Sequence, residues 1–197
     1  MEKAGFNYFG FVLFFAGFLG VSLVVPFLAF ENNVDFAYSA FAFTCHQKMS
    51  RSLCLFKSET GSFKVENCLE VEGKYIPSIE DRTQIQTIKN QEVGYKLPIC
   101  SRDIGLYLGM FLSALIYSKI RSIKETRVYP PIFFVLALVP MGLDGTIQLV
   151  SEFGVLPFVY ESTNIVRIIT GLIAGSAATF YALPILMGYV YGKDEKK

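Results

Sequence analysis

Apolar residues in this chain come in blocks rather than in a scattered rhythm. Phe6 to Phe30 runs without a charge. Ile104–Ser118, Pro130–Val150 and Ile165–Tyr191 form three more blocks, and the last two carry one charge each, Asp144 and Arg167. A bilayer core of roughly 30 Å takes about 20 apolar residues as a helix. The pattern predicts an all-α membrane protein, a single integral membrane domain over residues 1–197. Its four transmembrane helices fall at about 6–30, 101–120, 130–150 and 164–191, in an up-down bundle. The first block is too long for a secretory core and lacks a small-x-small cleavage site, so it reads as a retained span.

Between the first and second spans the pattern changes. Val34–Thr44 is aromatic, weakly polar and too short to cross, which predicts an interfacial or re-entrant segment. Residues 45–100 contain alternating pieces such as Thr83 to Ile88, punctuated by Gly73 and Pro77. These predict a small folded excursion with hairpins. An excursion of this size has little core and gains from covalent staples. Within the spans, Gly105, Gly109 and Ser113 recur every four residues, as do Gly171 and Gly175. Small stripes of this kind let helices approach closely in lipid.

Composition agrees with the blocks: 52% of residues are hydrophobic, with 19 Phe, 11 Tyr and no Trp. The net charge of +1 leaves no nucleic-acid footprint. The partner that composition implies is the lipid bilayer. Lys3, the group Lys119, Arg121, Lys124 and Arg127, and then Lys193, Lys196 and Lys197 fall on one side of a four-span arrangement. The connection Ser151–Ser162 carries Glu152 and Glu161 but no Lys or Arg. The positive-inside bias then predicts a multi-pass cell-membrane protein with both termini cytoplasmic and residues 45–100 extracytoplasmic. That loop has eight Lys/Arg and nine acidic residues from Glu31 to Glu92, so it is near neutral, and long loops weigh little in the bias.

The four cysteines, Cys45, Cys54, Cys68 and Cys100, all lie in or beside this loop. Three readings stay open. An even number confined to an outer loop suits disulfides, and the favoured pairing is nested, Cys54–Cys68 inside Cys45–Cys100. Cys45, His46 and Cys100 are also a ligand set for zinc or copper, although adjacent Cys-His is unusual spacing and no CxxC is present. The third reading is thiol–disulfide exchange, with Arg102 and a helix N-terminus favouring a Cys100 thiolate. His46 is the only histidine.

Polar residues inside the spans are not dispersed. Asp144 and Gln148 share one helix face, as do Asn164, Arg167 and Gly171. Charges in hydrocarbon are costly and look inward or toward water. An Asp144–Arg167 clamp is the plain structural reading; a substrate or ion site is the functional one. In an up-down bundle, the start of the second span (Arg102, Asp103), the end of the third (Asp144, Gln148) and the start of the fourth (Asn164, Arg167) meet in one leaflet. Cys45 and His46 belong to the same boundary. Arg51, with Ser52, is expected to pair with Glu161 at the surface, and Tyr107 to extend the face of Asp103.

Several of these residues form ordered blocks. They are Cys45-His46-Gln47, Arg51-Ser52 and Pro98-x-Cys100-x-Arg102-Asp103-x-Gly105-x-Tyr107-x-Gly109. Later come Pro140-Met141-x-x-Asp144-Gly145-x-x-Gln148 and Ser162-Thr163-Asn164-x-x-Arg167-x-x-Thr170-Gly171. From Cys45 to Gly175 the chain resembles a family of small archaeal and bacterial integral membrane proteins of unknown function. The resemblance implies an architecture and a residue set but no reaction. Many relatives have a second Cys where this chain has Asp103, so the simplest local redox pair is missing. The segment around Cys54 and Cys68 resembles an insertion beside the compact form, which makes that pair a private staple.

The leading functional expectation is a membrane-embedded enzyme acting on a lipid or lipid-linked substrate. Arg102 and Arg167 would bind an anionic group, and Asp103 or Asp144 would act as acid or base. His46 would shuttle protons or bind a metal, and Arg51, Ser52, Tyr107, Gln148 and Asn164 would bind substrate. The alternatives are a small oligomeric transporter or channel subunit, a thiol–disulfide or metal-binding protein, and an assembly protein. A homo-oligomer is expected chiefly for the transporter.

Overall fold

The computed structural model describes residues 2–41, 49–58, 60–68, 86–89 and 92–192. Five helices and four strands follow one another in the order α1 (Glu2–Leu28), α2 (Asp35–Phe41), β1 (Leu53–Lys57), β2 (Phe63–Asn67), β3 (Gln86–Lys89), β4 (Glu92–Lys96), α3 (Ser101–Ile120), α4 (Pro131–Glu152) and α5 (Asn164–Gly192). A single 3₁₀ turn at Met49–Arg51 precedes β1. Helices α1, α3, α4 and α5 are long and apolar enough to cross a membrane, as the four blocks predict. The described part of the excursion is mainly sheet, so the molecule is a helical membrane protein with a small β subdomain.

Helices α3 and α5 run parallel and form the tightest pair. At Gly105 and Gly109 a Cβ atom would run into the carbonyl oxygens of Ile168 and Leu172. At Gly171 and Gly175 it would run into those of Arg102 and Leu106. The two glycine stripes therefore interlock, and each helix lays backbone against backbone. Dispersion and weak Cα–H···O contacts hold such a seam where no hydrophobic drive exists between helices. Thr179 continues it by donating its hydroxyl to the Met110 carbonyl at 3.1 Å.

Helix α1 lies antiparallel on α3 through an aromatic stripe. Tyr107 of α3 packs between Phe15 and Phe18, with ring centroids 6.0 and 4.4 Å away. Near the other end, the Tyr8 hydroxyl donates to the Ala114 carbonyl at 2.6 Å. Helix α4 is different. Its buried residues are Asp144, Gln148 and Ser151, while Leu136, Leu143 and Leu149 stay exposed to what would be lipid. Its buried side chains are thus polar, while Phe134 meets the Tyr181 ring of α5 at 4.9 Å. At its start Tyr181 of α5 donates to the Pro130 carbonyl at 2.6 Å. There Ile120, Tyr129, Phe133, Ala177, Phe180 and Tyr181 line an apolar groove of about 480 Å³.

The described residues of the excursion form a four-stranded antiparallel sheet in the order β2-β1-β4-β3. Two hairpins are joined by pairing of β1 with β4, in register Leu55↔Tyr95 and Phe56↔Gly94. The Phe56 ring lies over Gly94, which has no side chain to displace it. A disulfide joins Cys54 to Cys68, both buried, and bears out that half of the favoured pairing. Cys45, the partner in the other half, lies outside the described residues. The sheet rests on the end of α1, where Phe30 meets Tyr95 edge-on at 4.8 Å and Phe63 at 5.6 Å. The short α2 fixes the other side: Tyr38 is fully buried and donates to the Lys96 carbonyl at 2.5 Å. Burial, with Tyr95 nearby, raises the Tyr38 hydroxyl well above its ordinary range, so it stays a donor.

Candidate functional site

The parallel arrangement brings the N-termini of α3 and α5 side by side. The Ser101 hydroxyl donates to Asn164 Oδ1 at 2.7 Å. Asn164 Nδ2 donates in turn to the Ser52 carbonyl at 3.3 Å and to Asn67 Oδ1 at 2.8 Å. One buried amide thus ties both helix starts to the sheet. Helix starts carry partial positive charge and unpaired N–H groups.

Helix α4 ends beside them. Arg102 Nη2 donates to Asp144 Oδ2 at 2.5 Å, and the Tyr160 hydroxyl donates to Oδ1 at 2.9 Å. Gly145 leaves room for the Arg102 guanidinium, whose Nη1 would lie 3.4 Å from a Cβ at that position. Tyr160 is held by its own backbone N–H, which donates to Ser151 Oγ at 2.6 Å. Its hydroxyl is raised above the ordinary tyrosine range, first by the bond to Asp144 and then by burial.

A second chain of contacts runs alongside. Arg167 Nη2 donates to Gln148 Oε1 at 3.0 Å, Gln148 Nε2 to Glu152 Oε1 at 3.4 Å, and Glu152 forms an ion pair with Arg51. Arg167 is 1% exposed. Its Nε and Nη1, together with Nε of Arg51 and Nε of Arg102, are buried without a hydrogen-bond partner among the described residues.

Of the expected site residues, Arg51, Ser52, Arg102, Asp144, Gln148, Asn164 and Arg167 converge here. Two expected relations are corrected. Asp144 pairs with Arg102 rather than Arg167, because α4 turns its carboxylate toward α3. Arg51 pairs with Glu152 on α4, not with Glu161. Tyr107, four residues after Asp103 on α3, packs in the aromatic layer against α1. Asp103 accepts from Cys100 Sγ, 3.2 Å from its Oδ2. Cys45 and His46 lie outside the described residues, so the Cys45–His46–Cys100 metal set is not assembled by this description. Among the described residues no three His, Cys, Asp or Glu side chains gather as metal ligands. Ser101, Glu152 and above all Tyr160 join the site without having been expected. Tyr160 sits in a connection where no periodicity marks it; its only sequence signal is a tyrosine in a short loop without cations.

Comparison with known proteins agrees with a membrane protein and supplies no reaction. An uncharacterised protein of Methanocaldococcus jannaschii is 36% identical over 100 residues, 51% of this chain and 60% of its own length. An uncharacterised protein of Methanothermobacter thermautotrophicus is 34% identical over 82 residues, 42% of this chain and 66% of its own. The chain thus spans less than two thirds of the length of these relatives. No solved structure matches. Residues 91–181 match the model of a family described as a predicted membrane protein, DUF2085. That stretch holds Arg102, Asp144, Tyr160, Asn164 and Arg167 and leaves out Arg51 and the disulfide, so the similarity is to a membrane-protein family of unknown function and runs through most of the polar cluster.

Proposed function

We propose that the polar cluster is a ligand site open to one leaflet, and that the chain is a membrane-embedded enzyme acting on an anionic lipid or lipid-linked substrate. The observation that carries this reading is Arg167: fully buried, bonded to a neutral amide, with two further nitrogens unpartnered among the described residues. A buried guanidinium to which no carboxylate is bonded among the described residues is costly, so such a group fits a ligand that supplies one. Asp144 is the acid–base candidate, since Arg102 and Tyr160 orient its carboxylate from either side. Tyr160, kept protonated, is the neighbouring proton donor.

The enzyme reading is favoured over transport by the glycine seam. A path across the bundle needs polar groups along its length, whereas beyond Thr170 the α3–α5 contact closes backbone to backbone. The site's side of the membrane is proposed as extracytoplasmic. The Cys54–Cys68 bridge suits an oxidising compartment, and Lys119–Arg127 supplies the positive connection at the opposite end.

The test is turnover of membrane lipid fractions by detergent-purified protein, followed by mass spectrometry. Wild type is expected to convert a lipid that Asp144→Asn leaves intact, with Tyr107→Phe active. A lipid converted equally by wild type and Asp144→Asn would count against this assignment.

A further inference from the structure

We infer that the group bound at this cluster is a phosphate, carried by a lipid headgroup or free in solution. The inference rests on the proposal that the cluster is a ligand site, and it names what the site takes.

Two further guanidiniums lie close enough to Arg167 to act on its charge. The charges felt by Arg167 include Arg51 and Arg102, both cationic, and Glu161 and Asp144. Asp144 is already shared by Arg102 and Tyr160, and Glu161 is exposed and forms no ion pair with Arg167. Among the described residues Asp144 is paired with Arg102 and Glu152 with Arg51, and no carboxylate is paired with Arg167. Each arginine spends Nη2 on a protein acceptor and keeps a buried Nε without one among the described residues; Arg167 keeps Nη1 as well. That makes four buried N–H-bearing nitrogens on side chains from three separate segments.

The shape of this demand selects the ligand. A carboxylate offers two oxygens in one plane. A phosphomonoester offers three strong acceptor oxygens and a charge of about −1.5 to −2. Four unpartnered donors outnumber the two oxygens of a carboxylate, and arginine is the residue suited to phosphate because its donors are fixed in a plane. The side-by-side starts of α3 and α5, joined by Ser101 and Asn164, add two aligned partial positive charges, which an anion at that end would offset.

The experiment measures the melting temperature of the full chain in a neutral detergent with four probes: inorganic phosphate, decyl phosphate, decanoate and decanol. Stabilisation by decyl phosphate well above decanoate, lost in Arg167→Gln, is expected and marks a lipid headgroup. Stabilisation by inorganic phosphate equal to that by decyl phosphate also supports phosphate, with a soluble source. Arg51 is only half-buried, so Arg51→Gln serves if Arg167→Gln does not fold; it should weaken phosphate binding at least tenfold. Equal stabilisation by decanoate and decyl phosphate, both lost in the variants, overturns the phosphate inference and leaves the anionic-ligand site standing. No anion-dependent shift, or one unchanged in both variants, overturns both.

Discussion

Arg102 and Asp144 join α3 to α4, and the two ends of the pair differ in burial, with side chains 28% and 4% exposed. Removing one partner of a buried pair strands the other charge and typically costs about 3–5 kcal/mol. Arg102→Met should therefore lower the melting temperature sharply, while Arg102→Met with Asp144→Leu should recover much of the loss. A double variant as unstable as the sum of the singles would show that the two charges do not compensate one another. Tyr160→Phe removes one donor to Asp144 and should cost about 1 kcal/mol, read in the same melts. The spacing of Asp144 with Gln148 and of Asn164 with Arg167 made their shared faces legible. Their pairing was not, because spacing fixes which residues lie together on one helix, not which neighbour that face meets. Asp144 could face α3 or α5, and helix rotation decided it.

The α3–α5 seam is the element on which the site is mounted. A methyl group at Gly105 or Gly171 meets a backbone carbonyl that cannot rotate away, whereas one at Gly142 of α4 meets nothing within 4 Å. Gly171→Ala should cost at least the roughly 1–3 kcal/mol of ordinary overpacking, and Gly142→Ala should be neutral or slightly stabilising in the same melt. The four-residue repeat of glycines announced a close helix contact; that the partners are parallel followed only from the order of the spans. The disulfide is the corresponding device in the sheet. It closes a loop with a sequence separation of 14, which the chain-entropy model values at about 3 kcal/mol. Cys54→Ser should release the β1–β2 hairpin, seen as faster amide exchange in β2, with the four spans unaffected. The alternation from Thr83 to Ile88 runs into β3, while Gly73 and Pro77 lie outside the described residues; the β1–β4 pairing spans a long stretch of chain and leaves no local mark.

Across the whole molecule, the polar end and the apolar groove lie at opposite ends of the α3–α5 pair. The apolar blocks and their charged flanks made this layout readable, since a bilayer requires long apolar runs and penalises charges within them. Orientation has its own test. A cysteine placed at Lys64 should be labelled by an impermeant reagent on intact cells, and one at Lys124 only after lysis; the reverse result would turn the site to the cytoplasm. The central proposal is that Arg167, buried and bonded to no carboxylate among the described residues, holds an anionic ligand at the boundary of one leaflet. Native mass spectrometry of the protein purified in mild detergent tests this most directly. Wild type is expected to retain an anionic lipid or phosphate adduct that Arg167→Gln or Arg51→Gln loses. Bare wild-type protein, or the same adduct retained by both variants, would contradict it.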